Sequence, residues 1–208
     1  MRQHVNREHL QRVTSLKTIE CHTELPSTMD RARALATDSS TQLPALVLAS
    51  HQRNGRGRRG AGWWQPSGSL AMTFIAKLPT AGNVTGGILP LWSLACGLAV
   101  AESLQQLHPA LKPLVRWPND IEIKGRKVAG LLVEATTTQK LLIGIGINTS
   151  GSKDDAPLAL RDRLQPAAHD LGDVARGVDG EREEEREERG IDPDAAFGAP
   201  TDDRGARV

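Results

Sequence analysis

Between positions 114 and 147 four strand-like segments follow one another with no helix between them. Residues 114–117 are held extended by Pro118, which keeps the residue before it out of the α region. Residues 121–124 and 128–136 flank Gly125-Arg126, the pattern of a β-hairpin with its turn at those two residues. Residues 140–147 form a further apolar run of strand length. A doubly wound parallel sheet needs strict alternation of strand and helix, and this succession breaks it. The chain is therefore predicted to be α+β, with a mixed, largely antiparallel sheet and its helices on one side.

The upstream residues fit that frame. Runs at 16–21, 45–50 and 69–77 read as strands. Ser27-Thr28-Met29-Asp30 opens a helix to about Ala36, with a hydroxyl predicted to cap its first amides and Asp30 favoured by the positive end of the dipole. Pro90 suits a first helical turn, and 91–107 is apolar nearly all round, so this helix is predicted to be buried.

Composition bounds the class. The apolar stretch 88–101 is broken by Pro90, Ser93 and Gly97 and is too short to span a bilayer, so no membrane association is expected. The N-terminus has no apolar signal core. Two cysteines, Cys21 and Cys96, make neither a disulfide framework nor a cysteine-rich metal site. The expectation is a reduced, cytoplasmic protein. The six histidines have no ligand spacing, so no protein-held metal is expected.

The net charge of +1 conceals a division. Residues 1–150 carry 17 basic and 9 acidic side chains, whereas 151–208 carry 9 and 16. Only about 16% of the second part is Leu, Ile, Val or Phe, below the ~20% needed to bury a core. The expected organisation is one domain over 1–164, with its core at 16–150, and an acidic, disordered tail over 165–208. A short amphipathic piece, 158–164, is expected to dock on the core. The basic part suits an anionic partner: a nucleotide, a phosphate or a nucleic acid.

Four segments carry possible chemistry. Gln52 to Gly62 is a glycine- and arginine-rich loop with Arg53, Arg56, Arg58 and Arg59, followed by Trp63 and Trp64. It formally contains G-x-G-x-x-G, but no helix opens after it and no acid lies near position 80, so a dinucleotide fingerprint is rejected. Like charges predict a loop that is disordered when empty and orders over an anion. A non-specific nucleic-acid contact with stacking tryptophans fits the composition equally well. Trp117-Pro118-Asn119-Asp120 is a turn by composition, whose Asn and Asp could also hold a ribose, a metal-bound water or a lysine. Lys127 lies at the mouth of the hairpin and Gly130 inside a strand, which signals close approach to the backbone or a simple bulge. Gly144 and Gly146 leave room on one strand face, for a ligand or for tight packing.

Taken together and in this order, these segments resemble the catalytic domain of biotin protein ligases, the biotin–[acetyl-CoA-carboxylase] ligase family, over about 16–150. The resemblance rests on Ser27-Thr28, Gln52 with Gly55-Arg56-Gly57-Arg58-Arg59-Gly60, Trp117-Pro118-Asn119-Asp120, Lys127-Val128-Ala129-Gly130-Leu131-Leu132-Val133-Glu134 and Gly144-Ile145-Gly146-Ile147-Asn148. It implies a fold like that of class II aminoacyl-tRNA synthetases. It implies activation of biotin by MgATP to biotinyl-5′-adenylate, then transfer to a lysine on the biotin carboxyl carrier protein of acetyl-CoA carboxylase. By resemblance, Lys127 and Arg58 are catalytic. Ser27, Thr28, Met29, Gln52, Arg56, Gly57, Arg58, Lys127 and Gly130 bind biotin. Arg56, Arg58, Trp63, Asn119, Asp120, Lys127 and Asn148 serve the nucleotide.

Departures from the family pattern are visible. Met29 stands where the family usually has Asn, and Arg116 where Lys is common. The 26 residues before Ser27 leave no room for a helix-turn-helix, so no DNA-binding domain is expected. The family's C-terminal β-barrel has no counterpart after about 164, so a C-terminally truncated catalytic domain is expected. The rival readings are a lipoate–protein ligase, which shares the fold, an inactive binder of biotin or nucleotide, and a nucleic-acid binder. The pairing of the Gly-Arg loop with Trp-Pro-Asn-Asp argues against the lipoate enzyme.

Overall fold

The computed structural model describes residues 5–65, 69–79 and 89–148. In chain order they form α1 (Arg7–Val13), β1 (Thr18–His22), α2 (Thr28–Thr37), β2 (Ala45–Ala49), β3 (Leu70–Lys77), α3 (Leu89–Leu107), β4 (Leu114–Arg116), β5 (Asp120–Ile123), β6 (Arg126–Ala135) and β7 (Lys140–Ile147). The strands make one sheet in the order β1-β2-β3-β7-β6-β5-β4. Only β1 and β2 run parallel, joined through α2, and every other pair is antiparallel. The predicted tail at 165–208 and the piece at 158–164 lie outside the described residues. So does the barrel question.

The helices do not share one side of the sheet. Val47, Ile75 and Leu142 pack with Met29, Ala32, Leu35 and Ala36 of α2. Ile121, Ile123, Ala129 and Leu131 pack with Ala101 and Leu104 of α3. Neighbours on a strand point to opposite faces, so the two clusters lie on opposite faces of the sheet. The reason is visible in β6 and β7, where apolar residues occupy both parities; a strand of that kind needs cover on both faces.

α3 is also not buried all round. It buries Ser93, Gly97, Ala101 and Leu104, a narrow stripe at helical spacing. Leu91, Leu98 and Leu107 are 59%, 48% and 83% exposed. Small residues on the stripe let the helix sit close: a Cβ on Gly97 would come within 3.3 Å of Val115.

The hairpin turn sits one residue earlier than predicted. Lys124 and Gly125 have φ of 50° and 71°, two left-handed residues in succession, and Arg126 already begins β6. That pairing of φ values is what a two-residue turn between twisted strands requires. α1 was not anticipated. Its start is capped by Asn6, whose Oδ1 accepts from the His9 amide at 2.9 Å, and none of its residues is buried.

α2 is fixed to the sheet edge by charge as well as by packing. Arg31 donates Nε and Nη2 to the two oxygens of Glu20 on β1, at 2.7 and 2.6 Å. Chiefly through that guanidinium, and with help from His22 at 2.8 Å, the Glu20 carboxyl is pulled down to about 2, although partial burial opposes the shift.

Candidate active site

One end of the site is built on the start of α2. Backbone bonds from Leu25 to His51, Arg53 to Leu25 and Asn54 to Pro26 lay residues 51–54 alongside 25–27. This brings Gln52 over the helix N-terminus. Its Oε1 accepts from the Thr28 amide at 2.7 Å and from Thr28 Oγ1 at 3.0 Å. Thr73 Oγ1, from the middle of β3, donates to Thr28 Oγ1 at 2.9 Å. The expected hydroxyl cap is therefore absent. Ser27 occupies the cap position without a side-chain cap bond, and the first helical amide, that of Thr28, is satisfied by Gln52 instead. Ser27 is 1% exposed and its Oγ has no partner. A buried hydroxyl left unpaired costs free energy unless something in the cavity completes it.

The floor is made of glycine. Gly130 and Gly146 face each other across β6 and β7, and Gly144 lies opposite Leu132. The Trp63 indole rests on this surface: a Cβ on Gly146 would be 2.4 Å from the ring, and one on Gly130 3.0 Å. A Cβ on Gly144 would lie 2.8 Å from Met29 Sδ. The buried Trp63 Nε1 has no partner. Met29, the residue that departs from the family pattern, is thus an apolar wall packed on the floor.

The other end carries cations. Lys127 Nζ lies 2.8 Å from Asp120 Oδ1 and 5.6 Å from the centre of the Trp63 ring. A β-bulge explains how Lys127 reaches this side. Ile121 pairs with Ala129 but Glu122 pairs with Lys127, so Val128 is an extra residue. Three positions separate Lys127 from Gly130, and strict alternation would put them on opposite faces. The bulge restores Lys127 to the Gly130 face, while Val128, fully buried, joins the α3 cluster. Asn119 is no simple turn residue. Its backbone carbonyl accepts from Leu131 N at 2.8 Å, and its Nδ2 donates to Leu131 O at 3.0 Å. Its Oδ1 is left to receive Arg58 Nη1 at 3.1 Å.

The arginine loop is folded rather than open. Trp63 N donates to Gly55 O at 2.8 Å and Gly57 N to Ala61 O at 2.7 Å, with a short 3₁₀ turn at Arg58–Gly60 between them. The repulsion that predicted disorder is offset by carboxylates at Arg53 and Arg56 and by an amide oxygen at Arg58. Arg53 meets Glu24 at 3.2 Å, Arg56 meets Asp30 at 2.6 Å, and Arg58 meets Asn119.

These parts enclose a cavity of about 260 Å³. Of the residues singled out in the sequence, Ser27, Thr28, Met29, Gln52, Arg56, Gly57, Arg58, Trp63, Asn119, Asp120, Lys127 and Gly130 line it. Asn148 does not. It donates its amide to Val128 O at 2.9 Å, beside the bulge. Leu132, which lines the cavity, and Thr73, which donates to Thr28 behind it, were not foreseen as parts of the site. A threonine inside the apolar run of β3 was the available signal for the second. Arg116, the other departure, turns away to Glu122 at 2.8 Å. Among the described residues no His, Cys, Asp and Glu side chains converge as a metal-ligand group, and no helix is long and apolar enough to cross a membrane.

Chemically, the cavity joins an uncharged polar end, an apolar glycine and tryptophan middle, and a cationic end. It suits a molecule that is polar but neutral at one extremity and anionic at the other. The biotin/lipoate A/B protein ligase family model matches residues 23–148, more than half of the chain. The chain belongs to that family. Among curated relatives it is 34% identical to the biotin–[acetyl-CoA-carboxylase] ligase of Paracoccus denitrificans over 155 residues, which span 72% of this chain and 62% of that protein. It is 39% identical to the bifunctional ligase/repressor BirA of Escherichia coli (strain K12) over 106 residues, 49% of this chain and 32% of that one. The chain thus covers less than two thirds of the length of these relatives.

Among solved structures, the biotin protein ligase of Aquifex aeolicus in complex with biotin and ATP superposes with a TM-score of 0.57 at 27% identity, covering 84% of this chain and 73% of that one. The Leishmania major biotin protein ligase in complex with biotinyl-5-AMP gives a TM-score of 0.55 at 24% identity, covering 92% and 87%. The fold is the class II aminoacyl-tRNA synthetase-like arrangement of this family.

Proposed function

We propose that the chain is the catalytic part of an ATP-dependent biotin–protein ligase. The observation that carries this reading is the single cavity with a buried, unpartnered Ser27 hydroxyl at one end and Lys127 and Arg58 at the other. Biotin has that shape: a neutral ureido ring, an apolar chain and a terminal carboxylate. Ser27, Thr28 and Gln52 would receive the ring, with Met29, Gly130 and Trp63 along the chain. Arg56 and Gly57 would close the loop over it.

In the first half-reaction a carboxylate oxygen of biotin attacks the α-phosphorus of ATP, and pyrophosphate leaves with the electron pair of the α–β bridge. Two anions must approach, so cations fixed where charge develops supply the main stabilisation. Lys127 and Arg58 are placed for this. Asp120 and Asn119 hold them, at 2.8 and 3.1 Å, before any ligand enters. In the second half-reaction a carrier lysine amine attacks the acyl carbon and AMP departs. The Gly-Arg loop excludes water from the mixed anhydride. Mg²⁺ would arrive on the triphosphate, because Asp120, the carboxylate among the described lining residues, is already paired with Lys127. Asn148 stays assigned to the nucleotide side through its place beside the bulge. The acceptor is the biotin carboxyl carrier protein of acetyl-CoA carboxylase, in the cytoplasm, where Cys21 and Cys96 remain free thiols.

The test is mass detection of biotinyl-5′-adenylate from purified chain, biotin and MgATP. Lys127→Ala is expected to lower its formation by about 10²–10³-fold, the scale of losing one preorganised charge donor. A folded wild-type sample that forms no adenylate overturns the reading.

A further inference from the structure

The Gly-Arg loop is tied to the molecule by a carboxylate outside the cavity. Asp30 lies in the first turn of α2 and does not line the pocket. Its Oδ1 receives Arg56 Nη2 at 2.6 Å and Arg33 Nη1 at 3.0 Å. Arg33 donates its other nitrogen to Glu134 on β6. The four groups form a chain, Arg56–Asp30–Arg33–Glu134, with balanced charge. It runs from the loop, across the helix, to the strand that carries Lys127 and Gly130.

We propose that Asp30 is a positioning residue that latches the loop closed through Arg56. The loop's own hydrogen bonds shape it but do not tie it down. Gly57 to Ala61 and Trp63 to Gly55 are bonds within the loop. Beyond them, residues 52–54 are bonded to 25–28 at the base of the loop, Arg53 meets Glu24, Trp63 rests on the floor and Arg58 reaches Asn119. Arg56 on Asp30 is the contact that carries opposite charges between the loop and α2. The pair is half exposed, at 39% and 49%, so it is weak and screened by salt. A weak latch suits a loop that must open for each turnover. An anion entering the cavity would compete with Asp30 for the Arg56 guanidinium. The role in turnover rests on the ligase reading; the latch itself does not.

Limited trypsin digestion reads the latch directly, because the loop carries cleavage sites after Arg53, Arg56, Arg58 and Arg59. When closing is fast, cleavage tracks the open population. Asp30→Asn in the full chain, at low salt and without ligand, is expected to raise cleavage at these bonds about threefold to fivefold, the scale of an exposed pair. Asp30→Glu should restore protection. Half-molar NaCl should bring the wild-type rate up to that of Asp30→Asn and leave the variant unchanged. Cleavage after Arg31 and Arg33 reports fraying of α2. If it rises in parallel, Asp30 acts on the helix and the latch is wrong; unchanged loop cleavage overturns it as well.

A second arm measures escape of biotinyl-5′-adenylate after single-turnover formation. Asp30→Asn should release it several-fold faster with the formation rate kept. Equal release removes Asp30 from the reaction. A wild type that makes no adenylate sinks the ligase reading and leaves the digestion to decide the latch.

Discussion

On the face of the sheet that carries α3, β5 and β6 contribute Ile121, Ile123, Ala129 and Leu131 to a dry cluster. On the opposite face the same two strands contribute Asp120, Lys127 and Gly130 to the cavity. Adjacent residues thus serve opposite ends. The α3 face sets Ile121, Ile123 and Leu131 against small residues of the helix, in a cluster without a polar side chain. The α2 face uses side chains too small to fill the space, glycine where a Cβ would strike Trp63 or Met29, and polar groups left without partners. One face stabilises the sheet; the other spends that stability on an unfilled, desolvated pocket.

If the division is real, substitutions on the two faces should separate activity from stability. The largest effect is expected on the cavity side. Gly146→Ala puts a methyl group into the Trp63 ring, so the indole must leave the floor. Adenylate formation should fall about 10²-fold, the usual cost of misplacing a site by an ångström, with Trp fluorescence altered. An unchanged rate would mean that the Trp63 position is irrelevant to catalysis. On the α3 face, Ile121→Ala should cost about 2–5 kcal/mol in denaturant unfolding. The surviving folded fraction should keep its affinity for biotin, and a lost affinity would blur the two faces into one.

A smaller effect concerns pH. Glu20 is held down by Arg31, so its stabilisation is fully present above the ordinary value of 4.5 and is lost as pH falls toward about 2. Glu20→Gln should therefore unfold with a flatter pH dependence between those limits than wild type, as seen by circular dichroism. Equal slopes would show that the pair does not bind α2 to β1. The smallest effect is at Leu98, half exposed on α3. Leu98→Ser should shift stability by no more than about 0.5 kcal/mol. A much larger loss would return α3 to the fully buried helix that its sequence suggests.

That helix shows where reading from sequence stops. The stripe Ser93, Gly97, Ala101, Leu104 is less hydrophobic than the exposed Leu91 and Leu98. Closeness of approach decided the packing, and composition does not record it. The strands were legible because alternation and turns are local. Their assignment to faces was not, since β6 and β7 are apolar on both. Within the site, the residue types were legible: twelve of the thirteen residues given a role by the resemblance line the cavity, and so do Gly144 and Gly146. Their partnerships were not. Gln52 takes the Thr28 amide from 24 positions away, and Ser27 beside it keeps an unpaired hydroxyl.

The bulge at Val128 is what lets an odd spacing, Lys127 to Gly130, stay on one face of the sheet. Regularising the pairing with every residue kept would give a smoother hairpin and would swing the lysine to the dry side of the sheet. Removing Val128 itself would keep Lys127 on the Gly130 face and take a buried side chain from the α3 cluster instead. Most strands tolerate a changed side chain better than a changed length, but here parity itself encodes which side of the protein performs chemistry. A change that only smoothed the ladder here would leave the composition of the chain untouched and remove its ammonium group from the pocket.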